Sequence, residues 1–154
     1  MENKTIRWGI LSTASIVPRF IKAMECTDDG IVCAVASRSF EKAKLTADEY
    51  NIPQAYDDYH KILEDDSIDA VYIPLINSLH YSYAKEALLA GKHTIVEKPF
   101  VLHQNEAEEL KQIAISKHRF LSEAVKTPYL PVYEPVKKII DEETYGKIRF
   151  MEFR

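Results

Sequence analysis

Gly9-Ile10-Leu11-Ser12-Thr13-Ala14-Ser15 is the stretch on which the fold turns. The apolar-rich run from Thr5 to Leu11 breaks there into small and hydroxyl-bearing residues. Ile16, Phe20 and Met24 then recur at helical spacing, with Pro18 where a first helical turn tolerates proline. That is a strand, a tight turn and a helix. Downstream, Ile31-Val32-Cys33-Ala34-Val35-Ala36 reads as a second buried strand, and Ser39 caps a helix with Ala43, Ala47 and Tyr50 on one face. Pro53 ends that region and Ala55-Tyr56 allows at most a very short strand. Asp57 or Asp58 then caps a short helix that turns Tyr59, Ile62 and Leu63 inward.

The alternation continues. Ala70-Val71-Tyr72-Ile73 is an apolar strand closed by Pro74, which cannot donate to a ladder, and Ala84, Ala87 and Leu88 mark a helix stopped by Gly91. His93-Thr94-Ile95-Val96 is the next strand. Asn105, with Glu108 three residues on, predicts a capping box ahead of Leu110, Ile113 and Ala114, and Phe120-Leu121 starts a sixth strand. Strands that alternate with helices and are solidly apolar imply a parallel sheet covered on both faces. The economical α/β fold is a Rossmann-type doubly wound sheet in the order 3-2-1-4-5-6.

Beyond it, Val132, Val136, Ile139 and Ile140 predict one more amphipathic helix, with Pro135 in its first turn and Gly146 as its stop. Lys147 to Phe153 then alternates polar and apolar residues, as a half-buried antiparallel strand does, leaving an apolar face along Ile148, Phe150 and Phe153. The expected organisation is a nucleotide-binding domain over residues 1–124. Residues 125–154 would form a connecting helix and the first strand of a truncated α+β substrate domain.

With 154 residues, 46% of them hydrophobic, the chain is long enough for a real core. A net charge of −4 without a basic cluster argues against nucleic acid, because phosphate backbones require a basic face. Met1 to Thr5 lacks a signal-peptide core, and the apolar run from Ala70 to Ile76 is too short for a bilayer, so a cytoplasmic protein with no membrane partner is expected. Cys26 and Cys33 read as reduced packing residues, and His60, His93, His103 and His118 show no ligand spacing, so no metal is expected.

Open parallel sheets bind ligands at the carboxyl ends of their strands, and four stretches fall there. Ser12 and Ala14 stand where glycines would complete a dinucleotide fingerprint. Small residues still admit a pyrophosphate to the helix N-terminus, where Ser12, Thr13 and Ser15 add hydroxyl groups. After the second strand, Ser37-Arg38-Ser39 replaces the acid that would select NAD, and an Arg there suits a phosphate. Asn77 and His80 follow the fourth strand beside the crevice. Glu97-Lys98-Pro99 ends the fifth and makes Lys98 the first candidate for chemistry, with a cis Lys98-Pro99 bond as one way of aiming it.

In combination, Trp8 to Ile16, Ala34 to Ser39, Ile73 to His80 and Glu97-Lys98-Pro99 resemble the glucose-fructose oxidoreductase / inositol dehydrogenase (Gfo/Idh/MocA) family, in its N-terminal half. The resemblance implies an oxidoreductase moving hydride between a nicotinamide cofactor and a sugar, polyol or related small alcohol or carbonyl. By matching position, Ser12, Thr13, Ala14, Ser15 and Ile16 would cradle the pyrophosphate, and Ser37 and Arg38 the adenosine ribose. Leu75, Asn77 and His80 would meet the central cofactor, and Glu97 and Lys98 the nicotinamide side. Lys98 would be catalytic. The expected cofactor is NADP, with NAD as the alternative, and the family's second domain would bring the substrate and homo-oligomer contacts. Ser12 and Ala14 depart from the family's glycines, and Lys126-Thr127-Pro128 from its usual aromatic and Arg residues. The competing reading is a non-catalytic dinucleotide-binding or regulatory module, against which an ammonium retained at Lys98 argues.

Overall fold

The computed structural model describes residues 5–150 and 152, so Met1 to Lys4, Met151, Phe153 and Arg154 lie outside the described residues. Two compact units emerge, Met1–Ala124 and Val125–Arg154. The first contains six strands, β1 (Ile6–Leu11), β2 (Gly30–Ala36), β3 (Gln54–Tyr56), β4 (Ala70–Ile73), β5 (His93–Val96) and β6 (Leu121–Glu123). They pair in parallel in the order 3-2-1-4-5-6, the doubly wound arrangement anticipated from the alternating runs. Five helices cross between them: α1 (Val17–Met24), α2 (Phe40–Glu49), α3 (Tyr59–Glu64), α4 (Asn77–Leu89) and α5 (Gln104–Lys117).

Side chains alternate across each strand, so consecutive core residues feed opposite layers. Ile10, Val35 and Tyr72 pack with Val17 and Ile21 of α1 and Ala47 of α2. Their neighbours Leu11, Ala36, Val71 and Ile73 pack with Ile62, Ala84, Leu88 and Leu110 from α3, α4 and α5. Both faces are covered, which is why these strands read as unbroken apolar runs. Gly9 allows β1 to lie directly under α3, since a Cβ there would stand 2.5 Å from Ile62 Cγ2. Gly91 leaves α4 at φ +77°, a conformation open to glycine at no cost.

Three local expectations are corrected. Helix α5 begins at Gln104, with an extended His103 before it, and the Glu106 carboxylate accepts from the backbone N of Leu102 and His103 at 3.1 Å each. Glu108, the expected capping partner of Asn105, instead holds Gln112 one turn on. Cys26 is exposed because it lies beyond the end of α1, whereas Cys33 is buried in β2 as expected. In the second unit, a 3-10 turn (Thr127–Tyr129) precedes α6 (Tyr133–Asp141), which carries Pro135 in its first turn and has no buried residue. Residues 147–150 form no strand, and Ile148 and Phe150 are exposed. A period-two stretch needs a partner ladder to become a strand, and none pairs with it among the described residues. Nor is any helix among them long and apolar enough to cross a membrane.

Candidate functional site

Helix α1 leaves β1 on one face of the sheet and α4 leaves β4 on the other, although the two strands are hydrogen-bonded neighbours. Their departing chains open a crevice at the carboxyl ends, the switch point of a doubly wound sheet. A cleft of 190 Å³ lies there, lined by Ser12, Ala14, Arg38, Tyr59, Pro74, Leu75, Ile76 and Leu79. Four of the predicted residues, Ser12, Ala14, Arg38 and Leu75, thus meet on one surface. A larger cavity of 730 Å³ between α5 and β6 contains none of the predicted cofactor residues, so it is chemistry and not size that selects the crevice.

The loop from Ser12 to Ile16 is shaped by its own hydroxyl. Ser12 Oγ accepts from Ala14 N at 3.0 Å, and Ala14 O accepts from Val17 N at 2.9 Å as α1 begins. The backbone N–H groups of Thr13, Ser15 and Ile16 bond no described residue, so they face outward at the positive end of α1. Such a set of donors suits an anion. Residues as small as Ser12 and Ala14 leave the backbone open to close approach.

At the end of β2, Ser37 is 8% exposed, and its Oγ accepts from Ser39 N at 3.3 Å while keeping its own proton to donate. Arg38 is exposed on the cleft wall, with no hydrogen-bond or ion-pair partner for its guanidinium among the described residues. Ser39 caps α2 by accepting from Lys42 N and donates to the Glu41 carboxylate at 2.7 Å. That bond holds the Glu41 carboxyl below its ordinary range.

The predicted Glu97-Lys98-Pro99 site is the turn after β5. Glu97 N donates to Ile73 O at 3.1 Å and extends the ladder by one residue. Its carboxylate accepts from the Tyr72 hydroxyl at 2.6 Å on Oε1 and from Lys98 N at 3.1 Å on Oε2. The Lys98-Pro99 bond is cis. Phe100 N is held by Glu123 Oε1 at 2.7 Å. Lys98 itself is exposed, and its ammonium has no partner among the described residues. Burial, and then the bond to Glu97, push the Tyr72 phenol far above its ordinary range, so it stays a neutral donor.

His80 sits elsewhere than expected. It is 0% exposed, with Nδ1 2.7 Å from Pro99 O and Nε2 2.9 Å from Leu75 O. Both ring nitrogens face backbone carbonyls within hydrogen-bond distance, and the ring is wholly buried. Its place one turn into α4 puts it beneath the crevice, where it joins the β4–α4 loop to the Lys98-Pro99 turn. Asn77, by contrast, is exposed at the start of α4.

Sequence reasoning missed Tyr72, Glu123 and Lys92. A phenol inside the otherwise aliphatic Ala70-Val71-Tyr72-Ile73 was a usable signal, because a buried hydroxyl needs a partner. Lys92 is 4% exposed and donates to Asp65 O at 2.7 Å and Ile68 O at 2.9 Å, and burial lowers its pKa. It binds the α3–β4 loop ahead of β5, at the end of the sheet away from the crevice.

Comparison with known proteins places the same stretches in context. A model of the Gfo/Idh/MocA group, described as an oxidoreductase family with an NAD-binding Rossmann fold, matches residues 6–125. Trans-1,2-dihydrobenzene-1,2-diol dehydrogenase of Xenopus laevis is 34% identical over 147 residues, covering 94% of this chain and 44% of the relative. The scyllo-inositol 2-dehydrogenase (NADP(+)) IolU of Bacillus subtilis (strain 168) is 37% identical over 133 residues, or 86% of this chain and 40% of its own length. Among solved structures, KijD10, a 3-ketoreductase from Actinomadura kijaniata in complex with NADP, superposes with a TM-score of 0.89 at 33% identity, covering 95% of this chain and 47% of that one. The chain spans less than half the length of these relatives.

Proposed function

This chain belongs to the Gfo/Idh/MocA oxidoreductase family, and from that premise we propose that it is the cofactor-binding half of an NADP-dependent enzyme acting on CH–OH groups. Its substrate is a sugar, a polyol or a related small alcohol or carbonyl. Residues 1–124 hold the cofactor, and residues 125–154 lead into a substrate domain that also carries homo-oligomer contacts. The free N–H groups of Thr13, Ser15 and Ile16 bind the pyrophosphate, and Leu75 and Asn77 flank the central cofactor.

The observation that carries the reading is the end of β2, where the unpartnered Arg38 guanidinium and the buried Ser37 hydroxyl occupy the place of an acid. A ribose 2′-phosphate would accept a forked pair from Arg38 and a bond from Ser37, whereas a 2′-hydroxyl finds no carboxylate to donate to. The Ser12-to-Ile16 loop, Arg38 and the exposed Lys98 line up along the carboxyl ends of β1, β2 and β5, which fits an extended dinucleotide.

When bound, the nicotinamide supplies hydride transfer to or from carbon. The protein's share is electrostatic. Lys98 stands over the reactive end with a free ammonium, donates to the substrate oxygen and stabilises the charge that grows there in the transition state.

Calorimetric titration of NADP and NAD into the chain and its Arg38→Ala variant tests the assignment. NADP should bind the wild type more tightly by roughly ten- to a hundredfold, the worth of one or two charge-assisted bonds. The variant should lose that preference. Equal affinities in the wild type, or a preference that survives the substitution, would overturn it.

A further inference from the structure

We infer that Tyr72 is a positioning residue for Lys98, acting through Glu97. Glu97 and Lys98 are adjacent and oppositely charged, an arrangement in which the carboxylate could fold onto the ammonium and neutralise it. The structure opposes this by holding each carboxylate oxygen with another donor. Tyr72 donates to Oε1 at 2.6 Å, and the backbone N of Lys98, not its side chain, donates to Oε2 at 3.1 Å. The Lys98 side chain is exposed, and its ammonium has no partner among the described residues.

Tyr72 is suited to this task by its surroundings. It is 2% exposed on β4, and its ring stacks on Phe20 of α1 at a centroid distance of 4.2 Å with 12° between the planes. Phe20 in turn meets Trp8 edge-on at 5.4 Å. The ring therefore has one orientation, and its hydroxyl reaches the next strand's terminus from a fixed base. A water bound at Oε1 would not hold the carboxylate in this way, because it could be displaced by the ammonium. This inference rests on the proposal that Lys98 is the catalytic cation, but the geometry it concerns can be measured without cofactor or substrate.

The test is residue-resolved acetylation of the 154-residue chain with sulfo-N-hydroxysuccinimide acetate, followed by peptide mass spectrometry. The exposed Lys117 of α5 serves as the internal standard. Tyr72→Phe keeps the ring and its stack and removes only the hydroxyl. Freed on one side, Glu97 should pair with Lys98 and slow its acetylation roughly two- to fivefold relative to Lys117, the range of an exposed ion pair. Tyr72→Phe/Glu97→Gln should restore the rate, since a neutral amide cannot neutralise the ammonium. Unchanged labelling in Tyr72→Phe, or equal slowing in the double variant, would overturn the inference.

Should Tyr72→Phe fail to fold, Glu97→Gln alone decides. Lys98 labelling within the scatter of Lys117 supports a carboxylate already sequestered, and a severalfold acceleration shows that the pair exists in the wild type and refutes it. Equal affinity of the wild type for NADP and NAD in the calorimetric experiment would strike the functional reading and leave this result standing.

Discussion

Replacing His80 by Phe separates the role the structure gives this residue from a role in cofactor binding. The ring is wholly buried in α4, and Phe preserves most of its volume and apolar contacts, so the change is chiefly the loss of a polar tether. A neutral imidazole has one N–H and satisfies one carbonyl at a time, either Pro99 O at 2.7 Å or Leu75 O at 2.9 Å. Removing it takes the donor from one part-buried carbonyl, which costs about 1 to 2 kcal/mol. For a chain of this size that is a fall in melting temperature of roughly 2 to 8 °C. Circular dichroism against temperature and urea should show the shift with an unchanged urea slope. NADP affinity at a temperature where both proteins are folded should change by less than about threefold, under the energy of one hydrogen bond. A variant as stable as the wild type that bound NADP more than tenfold more weakly would refute the tether and return His80 to the cofactor.

Further outcomes follow from other sites. Gly9→Ala should destabilise the fold by about 1 to 3 kcal/mol in the same urea titration, because the new methyl meets Ile62 Cγ2 at 2.5 Å in a packed layer. Glu41→Gln removes the carboxylate three residues after Arg38 and should tighten NADP roughly two- to fivefold at low salt, an effect that fades as salt is added. His60 bridges Asp58 at 2.8 Å and Glu86 at 3.0 Å, and these bonds and charges, led by the Asp58 hydrogen bond, raise its pKa above 6.5 against some burial. Since the folded pKa lies above the unfolded one, the contribution is complete below pH 6.5 and is lost as pH rises through the raised value. The melting difference between wild type and His60→Gln should therefore shrink across that window, and it should be small throughout because the bridge is half exposed. In an enzyme that joins this chain to a substrate domain, as proposed, Lys98→Ala should lower turnover by about a hundredfold while cofactor affinity holds, as checked by steady-state kinetics alongside calorimetry.

Legibility in the sequence followed the physics of each element. Strands buried on both faces announce themselves as solid apolar runs, so Ile31 to Ala36 and Ala70 to Ile73 could be read directly, and the order 3-2-1-4-5-6 followed from connection rules. Helix starts were harder. Asp58 and Ser39 cap as their types suggest, but the start of α5 is set by a carboxylate from inside the helix, Glu106, bonding backward to His103. A pattern search favours an Asn three residues before a Glu, and Asn105 offered that pattern two residues too late. The crevice was legible as a set of loop residues. What each does there was not, because burial and partner choice depend on contacts distant in sequence. His80 looks the same on paper whether it faces a ligand or the Pro99 carbonyl 19 positions away. Tyr72 and Glu97 are 25 residues apart, and only the pairing of β4 with β5 makes them neighbours.

The run of rings from Trp8 through Phe20 to Tyr72 also gives the molecule an optical readout of its own. Trp8 is the only tryptophan in the chain, so emission excited at the red edge of protein absorbance comes from one place on β1. Its indole touches Phe20 edge-on, and Phe20 lies flat on the ring whose hydroxyl grips Glu97. A shift in the wavelength or lifetime of Trp8 will register any loosening of that stack, with no label attached.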